Sequence, residues 1–277
     1  MTNGTLQSKN PQKNRRIAIF NPWTFFENQC GVGLELLGQV VIMFKETLVF
    51  IVKGQIDWRE TFRQAYMIGV KSFVVVSVTA LFVGFAMSLQ ISRELVLFGA
   101  DTAIGGVVAL ALIREIGPIT AGVNVAGRVG SSVAAELTTM MITEQIDALK
   151  VMRVSPVQFL VVPRYLASLV MMPVLSIYAM AVGLVAGIVI AEAAANLPAA
   201  TFLDSVKVTI LDRDFGVHML KAIINATIVI MFSCGIGLHT RGGAEDVGIA
   251  TTRAIVWTMT TIFIFNFIVT KLTYAPR

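Results

Sequence analysis

The stretch SFVVVSVTALFVGFAMSLQIS, residues 72–92, decides the fold class of this protein. It is free of charged residues and lies between Lys71 and Arg93. A helix of this length rises about 30 Å, which is the thickness of the hydrocarbon core of a bilayer. The stretch is therefore predicted to be a transmembrane helix.

The composition of the whole chain agrees with a membrane location. Hydrophobic residues make up 56% of the 277 residues and charged residues only 14%, whereas an average soluble domain carries about 25% charged residues. So little charge cannot cover a water-facing surface, which excludes an ordinary soluble protein. The net charge of +5 does not indicate nucleic acid binding, because the basic residues lie at the edges of apolar segments and form no single patch.

Four further apolar segments follow the first, so the sequence predicts an all-α polytopic membrane protein with five transmembrane helices. The second span contains Arg114 and Glu115. Pro118, four residues after Arg114, cannot donate the helical hydrogen bond to the Arg114 carbonyl, so a kink is expected beside the charged pair. The predicted spans lie at about residues 72–92, 102–127, 165–191, 217–238 and 254–270.

The N-terminal part is predicted to stay outside the hydrocarbon core. Residues 1–22 carry four basic residues and no acid, and no apolar run directly follows these charges. This pattern favours a basic cytoplasmic tail over a cleaved signal peptide. Residues 23–56 show apolar residues at helical spacing with interrupting charges, which favours an amphipathic elbow helix in the membrane interface. A sixth spanning helix is the alternative.

Loop charges orient the predicted spans. With the basic tail inside, the connection 128–164 is cytoplasmic and carries four basic residues, whereas the loop 192–216 lies on the other side and carries more acids than bases. Lys271 and Arg277 then lie outside, which is a mild violation of the positive-inside rule. The sequence therefore predicts a cytoplasmic amino terminus.

Residues 131–152, SSVAAELTTMMITEQIDALKVM, are predicted to form an amphipathic helix on the cytoplasmic side. The polar side chains fall within about 120° of arc, opposite an apolar face. Such a helix can receive a push from a soluble motor, although the periodicity also fits a solvated helix that only links two spans. The polar face consists of Glu136, Thr143, Glu144, Asp147 and Lys150.

Three stretches resemble the MlaE family of ABC-transporter permeases. The signature region of that family is similar to ALIREIGPITAGVNVAGRVGSSVAAELTTMMITEQIDALKVMRVSPVQFLVVPR, residues 111–164. GFAMSLQ at 84–90 resembles the first span of the family, and GLHTRGGAEDVGIATTRAIV at 237–256 resembles its last cytoplasmic loop. Together the resemblance covers roughly residues 70–270.

The resemblance implies an architecture and a function. The family fold is an interfacial elbow helix followed by five spans, so residues 57–277 are interpreted as the permease domain and 131–152 as the coupling helix that docks into an ATPase. The implied protein is a homodimeric permease of the cell inner membrane that moves phospholipid or a related lipid between membranes. Its implied partners are a second copy of the chain, a cytoplasmic ABC ATPase, an MCE-domain substrate-binding protein and, in many members, a STAS-domain protein.

The chain contains no nucleotide-binding loop of its own. The pattern G-x-x-x-x-G-K-[ST] does not occur in the sequence, and Gly31-Val32-Gly33 lacks a third glycine. ATP and magnesium are therefore expected at the partner ATPase. The chain itself is expected to bind no cofactor or metal and to have no catalytic site.

A lipid pathway needs walls that accept acyl chains and groups that tolerate a phosphate. The candidates for the wall are Phe82, Phe85, Met87 and Leu89 in the first span, with ordinary packing as the alternative.

Ionisable residues in a span are costly and usually face a partner or a watery cavity. Arg114, Glu115 and Arg128 are therefore interpreted either as ion pairs that fix the fold or as a headgroup site, and Arg128 could extend to headgroups at the membrane surface. An ion-coupled secondary transporter that uses these three residues as a relay is the alternative function.

Overall fold

The computed structural model describes residues 22–274, with side chains from Glu35 onward. Most of these residues are helical, and no strand occurs among them. Val40–Arg277 forms one compact unit, which contains the five helical segments that could span a membrane. The helices are α1 Pro22–Val52, α2 Trp58–Leu97, α3 Ile104–Ala111, α4 Gly117–Val125, α5 Ser131–Ile142, α6 Gln145–Val151, α7 Val162–Ala195, α8 Ala199–Thr209, α9 Asp212–His239 and α10 Ala244–Tyr274.

Within residues 22–274, five helical segments are long and apolar enough to cross a membrane, and each contains one predicted span. The prediction of an all-α polytopic fold with five spans is therefore confirmed. α1 covers most of the predicted elbow, residues 23–56, and its position in the membrane interface stays a prediction. Residues 1–21 of the predicted tail lie outside the described part of the chain. The segments are Trp58–Leu97, Asp101–Ile142, Val157–Ala195, Asp212–His239 and Ala244–Tyr274.

The second span is an irregular helix. A π-helical segment, Leu112–Ile116, joins α3 to α4, and a second one, Ala126–Gly130, joins α4 to α5. In the first segment the amide of Gly117 donates to the carbonyl of Leu112, five residues earlier. Pro118 follows immediately and has no N–H to restore the α-helical pattern. The predicted kink at Pro118 thus coincides with a π-helical turn, which is a known cause of helix bending.

The prediction of one continuous helix over residues 131–152 is wrong. α5 continues the second span to Ile142, the helix breaks at Thr143 and Glu144, and α6 begins at Gln145. Glu144 has φ = 58°, in the left-handed region that ends a helix. Because the helix is interrupted there, the periodicity of α5 does not continue into α6. Residues 131–152 are called the cytoplasmic arm, after their predicted side of the membrane.

α2 and α7 approach each other closely along a line of small residues. A Cβ added to Gly84 would lie 2.7 Å from the carbonyl oxygen of Gly183. One turn further along, the hydroxyl of Ser88 donates to the Gly187 carbonyl at 2.9 Å. Small residues of this kind permit close packing of helices in membranes, where little hydrophobic effect drives association. The first and third spans therefore pack as one pair.

α9 lies at the centre of the described bundle. In its most apolar stretch of 18 residues, 72% of the residues are buried, whereas the corresponding share in the other four spans is 17–50%. It packs against α4, α5, α7 and α10. Side chains on α9 can therefore reach several spans, and this position determines the site described next.

Candidate functional site

Arg114 and Glu115 lie in the first π-helical segment, and each forms an ion pair with α9. Nε of Arg114 lies 2.8 Å from Oδ1 of Asp214, and Nζ of Lys221 lies 3.0 Å from Oε1 of Glu115. The side chains of Asp214 and Lys221 are only 1% exposed, whereas those of Arg114 and Glu115 are about one-third exposed. The two adjacent ionisable residues therefore hold the second span to the fourth through opposite charges.

Side chains of α9 also satisfy the backbone that the irregular segment leaves without partners. Because Pro118 lacks an N–H, the carbonyl of Arg114 loses its helical donor. A free carbonyl is costly in hydrocarbon, so non-helical backbone needs partners from the protein. The donors are Nδ1 of His218 to Ile113 (2.7 Å) and Nζ of Lys221 to Arg114 (2.5 Å). Nδ2 of Asn225 also donates to the carbonyl of Pro118 in the first turn of α4 (2.9 Å).

The last turns of α10 complete this intramembrane polar network. Glu115 accepts hydrogen bonds from Nδ2 of Asn266 and from the hydroxyl of Thr270, the latter at 2.6 Å. At the end of the same helix the hydroxyl of Tyr274 donates to Oδ1 of Asp214 at 2.7 Å. Cζ of the Arg114 guanidinium, which pairs with Asp214, lies 4.2 Å from the centroid of the Tyr274 ring, a cation–π distance. The network thus joins the second, fourth and fifth spans.

The α9 members of this network are not among the site residues predicted from the sequence. Asp214, His218, Lys221 and Asn225 are spaced by four, three and four residues. This spacing places them on one face of a helix. A polar stripe at helical spacing in an otherwise apolar span is the signal that points to them, because polar groups in a membrane face protein or water.

The buried histidine of this stripe has a structural environment. Nδ1 of His218 donates to the Ile113 carbonyl, and Nε2 lies 2.9 Å from the hydroxyl of Ser176 on α7. Both ring nitrogens are therefore occupied by protein groups. Within the described residues, no group of three or more His, Cys, Asp or Glu side chains could hold a metal ion.

Arg128 differs from Arg114 and Glu115. It lies in the second π-helical segment, Ala126–Gly130, and its side chain is exposed. None of the other residues in 35–274 forms an ion pair with its guanidinium. The structure therefore brings Arg114 and Glu115 together in one network and leaves Arg128 outside it.

The side chains predicted to meet an ATPase are exposed but have different surroundings. Lys150 forms an ion pair with Asp147 on α6, at 2.7 Å. Glu136 lies on α5 and forms an ion pair with Arg164 of α7, at 2.9 Å. Thr143 and Glu144 form the turn between the two helices of the arm. The predicted polar face is thus divided between two helices and a turn.

The four candidates for a lipid-pathway wall do not share one surface of α2. At about 100° per residue, Phe82, Phe85 and Leu89 lie on one side of the helix, and Met87 lies on another. The Phe82 and Phe85 rings meet edge to face with centroids 6.1 Å apart. Phe82 is 63% exposed. A shared apolar wall on this helix can therefore include the first three residues but not Met87.

Comparison with known proteins places the chain among permeases. The family model described as Permease MlaE matches residues 61–272. A probable ABC transporter permease protein of Synechocystis sp. is 39% identical over 229 residues, which are 83% of this chain and 87% of that protein. A probable ABC transporter permease protein of Rickettsia typhi is 37% identical over 212 residues, which are 76% of this chain and 82% of that protein.

A plant protein is also similar. The protein TRIGALACTOSYLDIACYLGLYCEROL 1, chloroplastic, of Arabidopsis thaliana is 36% identical over 232 residues, which are 84% of this chain and 66% of that protein. The family match covers the intramembrane network up to Thr270 and the whole cytoplasmic arm. With its five candidate spans, this chain is a multi-pass membrane protein that belongs to the MlaE permease family.

Proposed function

We propose that the chain is the transmembrane permease subunit of an ABC transporter that moves phospholipid or a related lipid between membranes. The relatives named as probable ABC transporter permeases support transport driven by an ATPase. The name of the Arabidopsis relative includes the name of a glycerolipid, which supports a lipid as the cargo. Membership of a permease family supports a transport role rather than an enzymatic one.

The observation that carries this proposal is the continuity between the cytoplasmic arm and the intramembrane network. From Asp101 to Ile142 the chain is one helical segment, so α5 leads through α4 directly to Arg114 and Glu115. A displacement of α5, the helix of the arm before the break at Glu144, is therefore transmitted along a single segment to residues that bind α9 and α10. A subunit whose energy is supplied by another chain requires such a connection.

Glu144, Asp147, Thr143 and Lys150 are the residues proposed to dock into the ATPase. They lie on the exposed turn and on α6, at the end of the arm. ATP and magnesium bind at that ATPase in this proposal, in keeping with the missing phosphate-binding loop. An exposed charged surface of this kind suits a water-facing partner.

The remaining partners are proposed from the family resemblance. They are a second copy of the chain, an MCE-domain substrate-binding protein on the non-cytoplasmic side and a STAS-domain protein. The proposed location is the cell inner membrane with the amino terminus in the cytoplasm.

Arg128 is the residue of the second span that we assign to the lipid headgroup. Arg114 and Glu115 are engaged with α9, whereas the exposed Arg128 guanidinium has free donors among the described residues. A guanidinium binds phosphate oxygens well because its planar donors match their geometry. Phe82, Phe85 and Leu89 would supply the apolar wall.

Lipid transfer between vesicles, measured with and without the ATPase and ATP, tests the proposed function. We expect the double variant Glu144→Arg with Asp147→Arg to insert normally and to lose ATP-dependent transfer. The matched control, Glu192→Arg with Asp204→Arg, changes the charge equally at two exposed acids that lie outside the arm. It should transfer lipid normally. Transfer by the permease alone, driven by an ion gradient, would instead support the ion-coupled alternative.

A further inference from the structure

We propose that Glu136 and Arg164 form an internal strut that transmits movement of the cytoplasmic arm to the third span. In this assignment Glu136 is a positioning residue inside the permease and does not contact the ATPase. The proposal rests on the proposed function, since it concerns how the arm acts on the spans. It changes the role that the sequence predicts for Glu136.

The strut is an ion pair with one buried and one half-exposed partner. Nη2 of Arg164 lies 2.9 Å from Oε1 of Glu136, and the two side chains are 4% and 52% exposed. A fully exposed ion pair contributes little, because water screens both charges. A buried guanidinium that loses its carboxylate is left uncompensated, which is costly. The geometry of this pair is therefore more strongly restrained than that of a surface pair.

The arginine connects the arm to the first turns of the third span. Arg164 is in the first turn of α7, directly after the π-helical segment Val157–Val161. Its Nη1 donates to the carbonyl of Leu160 in that segment, at 2.9 Å. One guanidinium thus binds the carboxylate of α5 and the irregular backbone before α7. A shift of α5 therefore acts directly on the point where the third span begins.

Within the described residues, this pair is the single side-chain hydrogen bond or ion pair between the arm and a helix outside the second span. The other polar contacts of the arm remain inside it or reach carbonyls of the same span. These are Ser131 to Gly127 and Arg128, Thr139 to Ala135, Thr143 to Thr139, Gln145 to Thr143 and Lys150 to Asp147. Directional coupling of the arm to α7 is therefore concentrated in Glu136 and Arg164.

Packing holds the same part of the arm against α9. The side chain of Leu137, next to Glu136, is fully buried. A Cβ added to Gly237 of α9 would lie 2.7 Å from Cβ of Leu137, so this glycine permits the contact. α5 is thus fixed to the fourth span by packing and to the third by one ion pair. A rigid α5 in this position moves both spans together when the end of the arm is displaced.

The experiment compares two identical changes on the arm, Glu136→Gln and Glu144→Gln, in the complex with the ATPase. The measured quantities are the affinity for the ATPase and the amount of lipid moved per ATP hydrolysed. We expect Glu136→Gln to keep the affinity and to move at least ~5-fold less lipid per ATP, the lower range of coupling between sites. Glu144→Gln, at the docking turn, should instead weaken binding of the ATPase.

A double-mutant cycle adds a second measurement. If the pair acts as a unit, the variant with Glu136→Gln and Arg164→Gln loses no more coupling than the stronger single variant. Should the Arg164 variant fail to fold, the comparison of Glu136→Gln with Glu144→Gln decides alone. If the losses of the two single variants multiply in the double variant, the two residues act independently and the proposed strut is overturned.

Two results of the comparison would also overturn it. One is a loss of ATPase affinity in Glu136→Gln equal to that in Glu144→Gln, which would make Glu136 a docking residue. The other is unchanged lipid movement per ATP in Glu136→Gln. If the wild-type complex hydrolyses ATP but moves no lipid, the proposed cargo fails. The strut is then tested by the stimulation of ATP hydrolysis by the permease, which Glu136→Gln should lower at unchanged affinity.

Discussion

Nζ of Lys221 lies 2.5 Å from the carbonyl oxygen of Arg114 and 3.0 Å from Oε1 of Glu115. The same amino group donates to the hydroxyl of Thr270 at 2.7 Å. An ammonium group has three donors, so all of its hydrogen-bonding capacity is used. One side chain therefore neutralises the acid of the second span, satisfies its irregular backbone and connects both to α10.

Lys221→Met should strongly destabilise the protein, because it removes the charge but keeps the length of the side chain. The change leaves Glu115 without its cation and the Arg114 carbonyl without its donor, a loss of about 3–5 kcal/mol for a broken buried pair. Thermal unfolding of the purified protein in detergent measures the effect. Lys207→Met is the matched control, since Lys207 is 75% exposed. Equal destabilisation by both substitutions would argue against a central role for Lys221.

Arg114→Ala and Arg128→Ala should have opposite effects on stability and on lipid contact. Arg114 is paired with the buried Asp214, so its removal should lower the melting temperature more than it lowers labelling by a photoactive phospholipid. Arg128 is exposed, so its removal should lower labelling at an unchanged melting temperature. Selective loss of labelling in a well-folded Arg114→Ala protein would assign the headgroup to Arg114 instead.

Tyr274→Phe should cost more stability than Tyr178→Phe, although each removes one hydroxyl. The Tyr274 hydroxyl donates to the buried carboxylate of Asp214, at 2.7 Å. The Tyr178 hydroxyl lies 2.7 Å from the neutral hydroxyl of Ser77. Hydrogen bonds to charged groups contribute about 1.5–3 kcal/mol, compared with about 0.5–1.5 kcal/mol for neutral ones. Unfolding of the two variants under identical conditions checks the order, and the reverse order would contradict it.

Gly84→Ala should separate the first and third spans. The added methyl would lie 2.7 Å from the Gly183 carbonyl oxygen and 2.8 Å from its Cα, so the backbones must move apart. Overpacking of this kind costs about 1–3 kcal/mol. A Cβ added to Gly216, near the start of α9, meets no atom within 4 Å, so Gly216→Ala serves as the control. This control should be neutral or slightly stabilising, since alanine favours helix more than glycine does. Destabilisation of both variants to the same extent would show that the close approach is not the cause.

The sequence predicts the spans well and the arm less well. Each predicted span falls within one membrane-length helix, from 72–92 inside Trp58–Leu97 to 254–270 inside Ala244–Tyr274. The apolar stretch that hydrocarbon requires is a local property, so it can be read from consecutive residues. The break at Glu144 was missed because a single residue with φ = 58° changes neither the composition nor the spacing of its neighbours.

Consecutive residues alone determined that this chain is a membrane protein, where its spans lie, and that a charged pair stands beside a proline in the second span. Only the tertiary structure decided that Arg114 meets Asp214, that Glu115 meets Lys221 and that Glu136 meets Arg164. The first two pairs join residues that are 100 and 106 positions apart in the chain, and helical periodicity specifies only which side chains share a face. Which opposite charge or unpaired carbonyl lies across from that face depends on how the helices pack. The packing must give each buried polar group a partner, because burying such a group without one is costly.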